Sequence, residues 1–158
     1  MNITKWAAAA ACAAGIASIA SAGGLDTIQV TQNAYSSGSG GEFTALPISG
    51  YAGETGLFAD LGDGTFETFC METSENFSPG SIMSFVINTG SIGGAGFVPL
   101  TEQVAFLYTE FRYGTLDGFD YSPSERQVSS GALQAAIWYF QGQAGAPSGG
   151  SLADDFVQ

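Results

Sequence analysis

Ser122–Gly142 reads SPSERQVSSGALQAAIWYFQG. Ser122, Pro123 and Glu125 carry the signature of a capping box: a hydroxyl at the N-cap, proline at the first helical position, and glutamate three residues after the cap. The spacing predicts a helix from Ser122 to about Tyr139–Gln141, stopped by Gly142. From Ala132 to Phe140 the stretch is apolar nearly all round, which marks a helix buried within a core. One polar residue, Gln134, sits in its middle. A buried carboxamide must satisfy its carbonyl and both amide protons, or cost about 1–3 kcal/mol. Bonding to backbone or to neighbouring polar groups is the ordinary way of doing so.

Upstream, Thr101 is the N-cap of an earlier helix, with Glu102 near its positive end. Val104, Leu107, Tyr108 and Phe111 form the apolar face, and Gly114 ends it. Before Pro99 the period changes. Thr27–Gln32 (TIQVTQ) alternates as a strand with one buried face, and Glu42–Ile48 and Gly56–Asp60 are shorter candidates. Leu61–Gly64 is a turn. Asp60 and Asp63 lack the fuller oxygen-ligand spacing of a calcium loop. In Thr65–Met71 (TFETFCM), Phe66, Thr68 and Cys70 share one face, and Glu67, Phe69 and Met71 the other. Ile82–Asn88 follows a Ser78–Gly80 turn and is expected to pair with that strand. Ser36–Gly41, Gly90–Gly96 and Gly142–Ser151 read as glycine-rich loops or linkers. The expected fold is α+β: a β-rich first half, as a small sandwich or barrel, with two or more helices from the second half packed on it.

The N-terminus has the parts of a secretion signal. Lys5 precedes an uncharged apolar run from Trp6 to Ile19, and Ala20-Ser21-Ala22 offers a small-x-small cleavage site. The run, about 14 residues, is shorter than the roughly 20 needed to span a bilayer. Residues 1–22 are therefore expected to be removed, leaving 23–158 as one extracytoplasmic domain with no membrane-spanning segment. A lipoprotein with Cys12 as the lipidated residue is the minor alternative. Beyond residue 22, Arg112 and Arg126 face all 15 Asp and Glu. Such a balance argues against nucleic acid and against charge-driven binding to an anionic membrane. The absence of histidine removes Ser-His-Asp and Cys-His catalysis and the commonest zinc ligand. No metal and no cofactor are expected.

With Cys12 in the signal, Cys70 is the lone cysteine of the mature chain. A single thiol in an oxidising compartment is a liability. Either it is buried as a small hydrophobe, or its sulfur is committed to another bond.

A strand bearing Phe69-Cys70, followed by a helix bearing Leu133-Gln134-Ala135-Ala136-Ile137-Trp138, resembles the bacterial surface thioester domains. Leu133 stands where many of them have threonine. The order Phe-Cys-x-Glu, then Val104–Phe111, then Leu-Gln-x-Ala-Ile-Trp also resembles exported proteins of Gram-negative environmental bacteria that end in a PEP-CTERM sorting signal. The chain lacks that ending, so it is expected to be either incomplete or released. The resemblance covers about Thr65 to Gln143. It implies an internal thioester between Cys70 and Gln134, with Phe69, Trp138 and Tyr139 lining its pocket. It also implies an adhesin that reacts covalently with protein or polysaccharide nucleophiles on a surface or matrix. That is attachment rather than enzymatic turnover. A non-covalent surface or matrix protein on the same fold is the alternative. A carboxylate-dependent glycosidase has little support, because no pair of acidic residues stands out at a motif.

Overall fold

The alternation of Ile28 and Val30 with polar neighbours makes β1 (Thr27–Ser37) a strand with one buried face, and β2 (Gly40–Ser49) folds back along it. The two are antiparallel with Val30 opposite Ala45. The tip is the two-residue turn Gly38-Ser39, where Gly38 takes a φ of 61° that favours glycine. The structure is a computed structural model describing residues 27–49, 64–86, 88–93 and 96–158. The expected signal segment with Cys12, the strand at 56–60 with Asp60, and the first three turn residues with Asp63 lie outside the described residues.

Two short strands complete a four-stranded antiparallel sheet: β3 (Phe66–Thr68) beside β2, and β4 (Ile82–Ser84) beside β1, in the order β3-β2-β1-β4. This corrects the expected pairing of the Thr65–Met71 and Ile82–Asn88 segments. The long β1–β2 hairpin takes the centre and leaves one edge for each. The Gly80 amide donates to the Val30 carbonyl at 2.7 Å, which steers the chain to the β1 side before β4 begins. β3 also ends sooner than the alternation suggested, so Cys70 lies just past it. The glycine-rich 90–96 segment is not a loose connection. Its ends form a two-stranded ribbon, β5 (Gly90–Gly93) and β6 (Gly96–Pro99), with Ile92 opposite Phe97.

The first helix, α1 (Glu102–Tyr113), is bounded as its spacing predicts. Thr101 Oγ1 accepts from the Val104 amide at 3.3 Å, and Gly114 closes the other end at a φ of 70°. The second, α2 (Arg126–Phe140), starts three residues later than the capping box implied. The Ser122 hydroxyl lies against Ser124 Oγ at 3.3 Å, while the Ser122 amide donates to Asp120 Oδ1. Ser122–Glu125 is thus a turn that leads into the helix. Its carbonyl end is continuous with α2, since the Arg126 amide donates to Ser122 O. A short helix not foreseen in the sequence, α3 (Leu152–Asp155), follows the 142–151 loop and delivers Phe156 to the core. No helix among the described residues is long and apolar enough to cross a membrane.

The arrangement is α+β, the sheet from the first half and the helices from the second. Its buried apolar residues form two clusters. Leu133, Ala136 and Ile137 of α2 join Val104, Leu107, Phe111, Phe119 and Phe156 in a helical core. Ile28, Val30, Phe43, Ala45 and Phe66 form a sheet core. Each fully buried aliphatic or aromatic side chain contributes about 1.5–3 kcal/mol. Phe69 belongs to the first cluster and Cys70 to the second, so the peptide between them crosses the seam.

Helix α2 comes close to the tip of the β1–β2 hairpin because Gly40 has no side chain. A Cβ there would lie 2.6 Å from Gln134 Cγ and 2.8 Å from Trp138 Cη2. Gly40→Ala is expected to lower stability by about 1–3 kcal/mol through overpacking, read as a fall in urea midpoint at unchanged slope.

Candidate functional site

Along α2, Arg126, Ser130, Gln134 and Trp138 recur every four residues and so lie along one face of the helix. That face meets the hairpin. Along β2, Glu42 and Thr44 alternate with Phe43 and Ala45, and project from the face opposite to the sheet core.

The first half of the contact is ionic. Glu42 is wholly buried, and Arg126 grips its carboxylate with one edge of the guanidinium, Nε to Oε2 at 2.9 Å and Nη2 to Oε1 at 3.0 Å. Ser130 Oγ donates to Oε2 at 3.1 Å, and Asn33 Nδ2 to Oε1 at 3.3 Å. The guanidinium also sits 4.8 Å from the centre of the Tyr35 ring. Burial opposes the charge of Arg126, but the hydrogen bond and attraction of Glu42 outweigh it and hold its pKa above the usual range. Beside this pair, Glu67 accepts from Asn33 Nδ2 at 2.8 Å and from Thr44 Oγ1 at 3.1 Å. Burial first, and then the nearby Glu42 carboxylate, push the pKa of Glu67 up to about 7.

The second half of the contact is the amide of Gln134, itself 1% exposed. Its Oε1 accepts from the Cys70 amide at 3.0 Å, and its Nε2 donates to the Cys70 carbonyl at 2.7 Å. The carboxamide pairs with Cys70 as a neighbouring strand would, exchanging both main-chain hydrogen bonds of one residue. β3 has already ended at Thr68, so the side chain from α2 takes the place of a strand partner. The Cys70 thiol is buried. Both residues of the expected pair are therefore in direct contact, across 64 positions of sequence.

The expected lining residues are placed differently from one another. Trp138 packs against the sheet core that contains Cys70, one helical turn beyond Gln134. Phe69 turns the other way, its ring edge-on to Phe111 at 5.0 Å in the helical core. Tyr139 is 37% exposed, on another face of α2, with its ring against Phe140. Past Cys70, Glu72 is buried, and Ser91 Oγ donates to its Oε1.

Glu42, Asn33 and Ser130 carried no signal in the sequence. Arg126 did carry one: a cation this scarce, in a chain this acidic, has a partner of consequence. Compared with known protein families, characterised proteins and solved structures, the chain matches none.

Removing one partner of a buried ion pair strands the other. Arg126→Ala is expected to cost about 3–5 kcal/mol in chemical denaturation, because the Glu42 carboxylate remains buried. The Glu67 carboxyl sets a pH dependence of its own. Its pKa in the folded chain lies above the ordinary 4.5, so the folded state holds the proton longer than the unfolded one. The stability it contributes is full below about pH 4.5 and is lost as the pH rises to about 7. Glu67→Gln, which mimics the protonated acid, is expected to remove that decline. Urea midpoints measured from pH 4.5 to pH 8 for both proteins check it; parallel curves refute it.

Proposed function

We propose that this is an exported, thioester-domain-like attachment protein in which Cys70 and Gln134 condense to an internal thioester that then joins the protein covalently to a nucleophile on a surface or matrix. The observation that carries this is the two-point grip of the Cys70 main chain on the Gln134 carboxamide. The N-terminal secretion signature and the order of the Phe-Cys and Leu-Gln motifs support it.

Thioester formation needs a sulfur beside an amide carbon, a donor for the oxygen that becomes negative, and a route for the amine to leave. The Cys70 amide supplies the donor, and its thiol is the sulfur that the proposed step brings to the amide carbon. The thiol belongs to the same residue whose N–H already points at Gln134 Oε1, where charge develops when sulfur adds to Cδ. The bond from Nε2 to the Cys70 carbonyl fixes which end of the carboxamide is oxygen and which is nitrogen. Collapse of the adduct breaks the C–N bond and releases ammonia. Burial in the seam keeps water from the product. An incoming amine or hydroxyl attacks the same carbon and forms an amide or ester to the former Gln134. The sulfur leaves, as the Cys70 thiol. Each molecule reacts once.

A non-covalent role on the same fold is favoured by one feature. The same two hydrogen bonds satisfy the carbonyl and one amide proton of Gln134, as a purely structural glutamine requires.

Intact mass of the purified mature protein separates the two. The expected mass is one ammonia below that of the sequence, rising by one methylamine after treatment. Cys70→Ala is expected to keep the full mass, take up no methylamine and retain a cooperative unfolding transition. An unshifted wild-type mass, with a thiol that titrates once the chain is unfolded, excludes the thioester and leaves the structural role.

A further inference from the structure

Condensation of a thiol with a carboxamide moves protons. The sulfur must lose one before it adds, and the departing amide nitrogen must gain one to leave as ammonia. A chain without histidine has to find that proton carrier elsewhere. Of the nearby groups, the Cys70 amide and carbonyl hold the carboxamide but exchange no protons.

Among the described residues, two buried side-chain atoms have no hydrogen-bond partner: Glu72 Oε2 and Trp138 Nε1. Buried polar atoms of this kind are scarce in folded proteins, and each one calls for a reason. Both belong to residues close in sequence to the expected pair. Glu72 is two residues beyond Cys70, and Trp138 is one helical turn beyond Gln134. One is an acceptor and the other a donor.

Glu72 is also deliberately accommodated. It is 3% exposed, and Ser91 Oγ holds its other oxygen. Its carboxylate occupies the space of a missing side chain: a Cβ on Gly93 would lie 2.5 Å from Oε2 and 2.7 Å from Oε1. The β5–β6 ribbon thus fixes one oxygen and the position of the carboxylate, while leaving the second oxygen unclaimed. The chain bends at Met71, and two residues span at most about 7 Å, which a glutamate side chain with one bridging water covers.

We propose that Glu72 is the proton carrier of the Cys70–Gln134 condensation, with Ser91 and Gly93 as its positioning residues. This rests on the thioester proposed above. The Glu72 carboxylate takes the proton from the Cys70 thiol as sulfur adds to Gln134 Cδ. It then gives that proton to the leaving nitrogen, which departs as ammonia, and Glu72 ends as it began. When an amine opens the thioester, the carrier works in the other direction: Glu72 takes a proton from the attacking nitrogen and returns it to the departing Cys70 sulfur. No oxidant, metal or further reagent is consumed in either step.

The test follows the mass of full chain made by cell-free synthesis as it folds. Wild-type protein is expected to lose one ammonia with time. Glu72→Gln is expected to fold, with an unchanged melting transition, and to lose ammonia about 100-fold more slowly. Glu72→Asp, a carboxylate on a shorter arm, is expected to recover part of the rate, which a merely structural role would not predict. Ser91→Ala keeps the carboxylate but releases its anchor, and is expected to slow the loss several-fold; if Glu72→Gln does not fold, this variant decides. Wild-type rates in folded Glu72→Gln, or in Ser91→Ala where that variant decides, overturn the role of Glu72 while the thioester stands. A wild-type chain that never loses ammonia overturns the thioester and this role together.

Discussion

A wholly buried glutamate on a strand is what ties the two halves of this molecule together. Glu42 cannot remain charged in the interior alone, and Arg126 and Ser130 of α2 are the groups that meet it. The helix is therefore docked by a bidentate, directional contact rather than by apolar packing alone. Apolar packing tolerates some sliding, because greasy surfaces of similar shape fit in several registers. A guanidinium fork on a carboxylate does not. Once Arg126 is fixed, the four-residue spacing carries Gln134 to Cys70 and Trp138 to Gly40.

The placement of Cys70 follows from an interruption. β3 pairs with β2 only through Phe66, Glu67 and Thr68, and then leaves the sheet. The next residues cross from one core to the other, and a crossing backbone has polar groups with no strand to receive them. Gln134 supplies both bonds for Cys70. Nearby, Tyr108 Oη donates to the Glu67 carbonyl at 2.6 Å, so α1 serves the same edge one step earlier. Side chains from two helices thus finish a sheet edge that the chain itself abandons.

Much of this was legible in the sequence, for reasons that are local. Thr101 and Gly114 bound α1 because capping is decided within a few residues. The apolar run around Gln134 announced a buried helix with one polar group to satisfy. The alternation from Phe66 to Met71 placed Phe69 and Cys70 on opposite sides, and they do enter different cores although the strand stops short of them. What escaped was non-local or competitive. Glu42 and Arg126 are separated by 84 positions, and a glutamate in a strand ordinarily faces water. The Ser122 cap failed because Asp120 and Ser124 offered its polar groups closer partners. The edge choice of β4 was set by the hydrogen bond from Gly80 to Val30, which no periodicity reports.

Two turns beyond Gln134, Gln141 repeats the same device. Its Oε1 accepts from the Thr101 amide at 3.0 Å, and its Nε2 donates to the Pro99 carbonyl at 3.1 Å. Helix α2 is thereby pinned at three heights: to β2 through Arg126, to the end of β3 through Gln134, and to the start of α1 through Gln141. Adding or deleting one residue between any two of these pins would turn the far end by about 100° and shift it by about 1.5 Å. No single side-chain change could compensate. The helix is in effect a gauge of fixed length, open to exchange at its outward positions and closed to insertion or deletion along its span.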